Sequence, residues 1–125
     1  MNTSLEQNGL GHAETREEIL DVVCGLIDET QRDYIFDRRK YDRHSIAITV
    51  KARPIKDGLL GAEFEALTHD ISAGGMSFVY DARIDAPNLL LQFPGFDQPP
   101  LILEIVHQMR IGPFWKIGGR FRTAL

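Results

Sequence analysis

The sequence has a single cysteine, Cys24, and so no internal disulfide. A lone thiol suits a reducing cytoplasm, which is the expected location. Cys24 stands in an apolar stretch with helical spacing, which makes it a small core residue rather than a reactive thiol. No run approaches the ~20 apolar residues that a membrane-crossing helix needs, so no membrane insertion is expected. The first residues carry neither the basic start nor the apolar run of a secretory leader, and export is not expected. Catalytic signatures are missing too. The four histidines, His12, His44, His69 and His107, are scattered without metal-ligand spacing. There is no phosphate-cradling G-x-x-x-x-G-K run, no G-x-S-x-G elbow and no nucleophile–base pair. His69 and Asp70 are neighbours in an expected strand and should point to opposite faces, where they are poorly placed to cooperate. A small binding module with no metal or cofactor, and not an enzyme, is the expected class.

What is present suffices for one compact domain with an extension: 125 residues, 43% hydrophobic and 26% charged. The net charge of −4 hides an asymmetry. Residues 1–37 hold nine acidic and two basic side chains, or −7, whereas residues 38–125 hold nine acidic and twelve basic, or +3. Four of those twelve cations, Arg38, Arg39, Lys40 and Arg43, fall within six residues. So local a basic signal points to a small anionic ligand rather than a long nucleic acid, which needs a broad basic face.

Residues 1–13 are polar and without period, and read as a disordered tail. Thr15 and Glu18 have capping-box spacing. Ile19, Val22, Val23, Leu26 and Ile27 then mark one face of an amphipathic helix over 15–33, with Gly25 costing it about 1 kcal/mol. That stripe packs either on the following domain or on a second protein surface. From residue 45 the period changes to 2: Ile46, Ile48 and Val50 alternate with Ala47, Thr49 and Lys51. Strands are expected at 45–54, 62–71, 75–80, 88–93, 100–109 and 114–123, separated by turn signals such as Asp57-Gly58 and Gly112-Pro113. Six short strands without intervening helices predict an all-β, small antiparallel barrel preceded by one helix. The expected division is a tail at 1–13, a helical extension at 14–37 and the barrel at 38–125.

Two motifs carry the chemistry: Arg39-x-x-x-Arg43 and Asp70-x-Ser72-x-x-Gly75. Each alone has a bland reading, a solvated basic linker and an ordinary Asx-type turn. The hairpin arithmetic joins them. Ten residues out and ten back bring position 70 abreast of position 45, beside the arginines. Arg offers a planar fork for guanine or phosphate, and a carboxylate can accept from the guanine N1–H and N2 amino group. Ser72 adds an adaptable hydroxyl, and Gly74 and Gly75 allow a tight turn, positive φ and close approach of backbone to ligand. Phe114, Trp115 and Phe121 read as core and barrel-rim residues before they read as a base-stacking platform.

The segments RRKYDRHSIAITV (38–50), THDISAGGMSF (68–78) and WKIGGRF (115–121) resemble the PilZ domain family, over roughly residues 38–123. That resemblance implies a six-stranded antiparallel barrel and binding of the second messenger cyclic di-GMP in a bacterial cytoplasm. It places the family's RxxxR on Arg39 and Arg43 and its D/NxSxxG on Asp70, Ser72 and Gly75. It also implies that Arg38, just ahead of the motif, favours a stacked, intercalated ligand dimer. The N-terminal helix is an addition to the minimal domain. On this reading residues 37–44 are mobile without ligand and wrap over it, which reorients the 15–33 helix or exposes its apolar face to a protein effector. A homodimer is a further option. Two other readings stay open: a PilZ-like interaction module without nucleotide, and a small RNA-binding barrel, which the acidic balance disfavours.

Overall fold

The computed structural model describes residues 3–4, 11–30 and 43–124. In chain order these form β1 (Thr3–Ser4), α1 (Arg16–Thr30), β2 (Thr49–Lys56), β3 (Leu59–Leu60), β4 (Phe64–Ile71), β5 (Gly75–Tyr80), β6 (Asn88–Gln92), β7 (Leu101–Ile111) and β8 (Phe114–Arg122). Six strands close in the order β2-β4-β5-β8-β7-β6, with β6 returning to β2, and every pairing is antiparallel. The expected six-stranded barrel with one preceding helix is the fold observed.

Period-2 side chains fill the barrel. Val50 and Ala52 from β2, Phe78 from β5, Leu103 from β7 and Ile117 and Phe121 from β8 are each at most 1% exposed. The stretch expected to turn at about 55–61 contains a small hairpin of its own. Asp57 and Gly58 take φ of +53° and +76°, the left-handed pair that a two-residue β-turn needs, and Ile55 pairs with Leu60 across it. From the stretch expected to be a tail, Thr3–Ser4 pairs with Leu59–Leu60, and the amide of Ala13 donates to the Pro100 carbonyl at 2.9 Å.

The helix begins as its spacing predicts, with the Glu18 amide donating to Thr15 Oγ1 at 3.0 Å. It is seen over Arg16–Thr30; the expected end at residue 33 lies outside the described residues. Its five stripe residues, Ile19 to Ile27, are at most 1% exposed and belong to the same core cluster as Val50, Phe78 and Leu103. The helix therefore packs on its own barrel. Gly25 has a use there. A Cβ at that position would fall 2.2 Å from Nε2 of Gln98, so the Gln98 side chain on the β6–β7 connection lies against the helix at this glycine.

Candidate functional site

The expected proximity of the two motifs rests on how the chain enters β2. The ladder between β2 and β4 runs from Ala52↔Phe64 to Thr49↔Leu67. Before Thr49 the regular strand gives way, so the alternation at 45–48, expected as strand, lies outside it. Thr68 takes over the pairing. Its amide donates to the Ile48 carbonyl at 2.9 Å, its hydroxyl accepts from the Ile48 amide at 2.9 Å, and that hydroxyl also donates to the Ile46 carbonyl. A single antiparallel bridge follows, with the amides of His44 and Ile71 donating to each other's carbonyls at 2.8 and 2.9 Å. Position 70 thus falls abreast of 45, as the hairpin arithmetic requires.

Arg43 and Asp70 meet. Arg43 Nη1 donates to Asp70 Oδ1 at 2.9 Å, and Ser77 Oγ donates to the same oxygen at 2.9 Å. The Asp70 side chain is 10% exposed, while that of Arg43 is 65% exposed. The carboxylate is therefore a buried anchor, and the guanidinium presents its remaining donors outward. Burial alone would raise the Asp70 pKa. The hydrogen bond from Ser77, the charge of Arg43 and its hydrogen bond, and a smaller contribution from His69 outweigh it and hold the carboxyl below its ordinary value.

His69 corrects the expectation of opposite faces. The register between β4 and β5 shifts between Thr68↔Phe78 and Asp70↔Ser77, so His69 is an extra residue bulged out of the ladder. The bulge breaks strict alternation and brings His69 Nδ1 to 3.5 Å from Asp70 Oδ2. Ser77 is the residue that sequence reasoning missed. Its signal was there: a hydroxyl in an otherwise apolar strand run, on the strand that returns beside position 70.

The turn between β4 and β5 is tied down at both ends. The Ser72 amide donates to the Gly75 carbonyl at 2.9 Å, Ser72 Oγ lies 3.4 Å from that same carbonyl oxygen, and the Phe121 amide donates to the Gly74 carbonyl at 2.9 Å. Neither Gly74 nor Gly75 has positive φ, contrary to the expectation; among the described residues the glycines that do are Gly58, Gly95 and Gly112. Gly75 is needed for another reason. A Cβ on it would sit 2.1 Å from the Gly119 carbonyl oxygen and 3.0 Å from Arg120 Cα, so β5 and β8 could not pair as closely. At Gly74 a Cβ would meet nothing within 4 Å, so the turn is open on that side.

Arg38 and Arg39 lie outside the described residues. Of the aromatics, Phe121 is core, Trp115 packs partly buried against it, and Phe114 is on the outer surface, 47% exposed. Among the described residues no group of His, Cys, Asp or Glu could hold a metal ion, and no helix is long and apolar enough to cross a membrane.

No family model and no curated protein matches the chain. Among solved structures it is similar to MrkH of K. pneumonia in complex with c-di-GMP, with a TM-score of 0.50 and 17% identity over 70% of this chain and 46% of that one. It is likewise similar to MrkH in its apo state, with a TM-score of 0.50 and 16% identity over 71% of this chain and 44% of that one. The chain thus spans less than half the length of these neighbours, and at such identities the likeness shows a shared fold.

Proposed function

We propose that this chain is a cyclic di-GMP receptor of PilZ type, working by binding rather than catalysis in a bacterial cytoplasm. The observation that carries the reading is the Arg43–Asp70–Ser77 cluster. The RxxxR and DxSxxG motifs, 27 residues apart in sequence, share a charge-assisted hydrogen bond beside an open glycine turn. The likeness to a barrel solved with c-di-GMP supports it.

In this reading Asp70 orients Arg43, whose outward donors take a guanine edge or a phosphate oxygen. Ser72 and Gly74–Gly75 form the wall against which a base lies, and Arg38 and Arg39 complete the cation set, with room for a stacked ligand dimer. Residues 38–125 are the receiving unit and 14–37 its extension. The His44–Ile71 bridge already fixes the end of the 37–44 segment on the barrel, so the part that closes over the ligand is the stretch ahead of Arg43. Ordering about six residues costs roughly 1 kcal/mol each, which a few charge-assisted hydrogen bonds of about 1.5–3 kcal/mol offset. Because that segment joins helix to barrel, its closure shifts the helix and so signals to a protein effector.

Isothermal titration with cyclic di-GMP tests the reading. The wild-type chain should bind, and Arg43→Ala or Asp70→Ala should weaken binding about tenfold to a hundredfold, the equivalent of one charge-assisted hydrogen bond. A folded wild-type chain with no binding at saturating ligand refutes it. Proteolysis near Arg38–Arg43 should slow when ligand is present; equal cleavage rates would remove the closing step.

A further inference from the structure

The outer face of β4, β5, β8 and β7 is apolar where a barrel wall facing water should be polar. Leu67, Val79, Lys116 and Met109 lie side by side across the four strands, each the register partner of the next. Two residues further along, Ile111 pairs with Phe114 on the same face. Leu67, Met109, Ile111 and Phe114 are 47–54% exposed and make up four of the six large hydrophobic side chains exposed among the described residues. Scattered singly these would be unremarkable; gathered on one face they mark a docking surface.

The face has two unlike halves. The β4–β5 half is a groove of about 550 Å³ whose lining includes Leu67, Val79, Glu65 and Asp81, together with Phe114 of β8, and no basic side chain. Lys51 Nζ lies 4.0 Å from both Glu63 and Glu65, and Asp81 adds a further carboxylate to the groove lining. The β7–β8 half carries the knobs Met109 and Ile111, with Lys116 beside them and Phe114 at the boundary with the groove. Groove and acid on one side meet knobs and cation on the other.

We propose that this face is the surface through which two copies of the chain pair about a two-fold axis. A two-fold axis lying in the interface, parallel to the strands and over the β5–β8 seam, lays each half on its complement, as an isologous interface requires. The knobs of one copy fill the groove of its partner, and Lys116 faces the partner's Glu65 and Asp81 edge. The Leu67–Val79 row lies two residues, about 7 Å, along the strands from the Asp70–Ser77 row, so the pairing leaves the Arg43–Asp70 cluster at its margin. It holds whether or not the chain binds nucleotide.

Sedimentation velocity on the full chain at about 100 µM, a loading suited to a modest interface, tests this. The expected mass is twice the 14.1 kDa of one chain. Phe114→Asp should return it to monomer, and Lys116→Glu should weaken pairing about tenfold. Asp81→Lys in the Lys116→Glu background should recover the dimer. A monomeric wild-type chain overturns the proposal. So does a dimer that survives Phe114→Asp, or one that Lys116→Glu weakens and the compensating reversal fails to recover.

Discussion

Gly74 and Gly75 stand side by side in one turn, yet a methyl group added to each should have opposite consequences. At Gly75 the new Cβ would lie 2.1 Å from the Gly119 carbonyl oxygen and 3.0 Å from Arg120 Cα, both of them backbone atoms of β8 that cannot swing aside. Reaching an ordinary contact requires β5 and β8 to part by about 1 Å at that point. The Phe121–Gly74 hydrogen bond, 2.9 Å long, would then stretch to about 3.9 Å and cease to be one. Overpacking costs about 1–3 kcal/mol and the lost bond about 0.5–1.5, while the stiffer unfolded chain returns about 0.4–1 kcal/mol. The net loss should be about 2 kcal/mol. Gly74→Ala, with open space around it and no positive φ, should stay within about 0.5 kcal/mol of wild type. Urea unfolding measures both. With a slope of about 2 kcal/mol/M, Gly75→Ala should lower the midpoint by about 1 M and Gly74→Ala should leave it in place. Equal effects in the two variants, or a Gly75→Ala midpoint at the wild-type value, would refute the close-approach argument.

Leu26→Ala in the docked helix should cost about 2–5 kcal/mol in a chemical denaturation, as for a core position; a loss under 1 kcal/mol would mean that the helix is not part of the core. Thr68→Val should cost about 1–3 kcal/mol, because it strips the part-buried Ile48 amide and the buried Ile46 carbonyl of their partner, and a neutral result would show that water replaces the hydroxyl. The Asp70 carboxyl is held below its ordinary pKa by folding, so its contribution to stability is complete above the unfolded value near 3.8 and is lost as pH falls through the folded value. Stability measured against pH should therefore drop more steeply below about pH 4 in wild type than in Asp70→Asn; parallel curves would contradict the assigned shift.

Much of the fold was legible because burial enforces period. Ile46 and Val50, with the partly buried Ile48 between them, and Ile19 to Ile27 in the helix, announced their inward faces directly. The Arg43–Asp70 contact was legible for a related reason, since counting residues around a hairpin fixes which positions lie opposite. What escaped was whatever breaks the count. The bulge at His69 leaves no mark in a run such as Thr68-His69-Asp70-Ile71, because it arises from how two strands match rather than from either one alone. The same holds for Gly75, whose neighbour across the sheet is 44 residues away at Gly119. Ser77 stood out as a hydroxyl in an apolar run, but its role showed only once the strand that carries it was set beside Asp70. Composition shows that a residue is small, and only the partner strand shows why.

The docked helix also limits what kind of signal the proposed receptor could send. A ligand moves a conformational equilibrium only by the difference in its affinity for the two states. Lifting α1 off the barrel would return five fully buried side chains to water, at about 1.5–3 kcal/mol each, or roughly 8–15 kcal/mol in all. A ligand binding with a micromolar constant supplies about 8 kcal/mol even if every part of it favours the open form. Release of the helix would therefore consume all the binding energy or more. A tilt that keeps the stripe in place costs far less, so the message such a chain can carry is a change of angle at its surface, not a newly bared one.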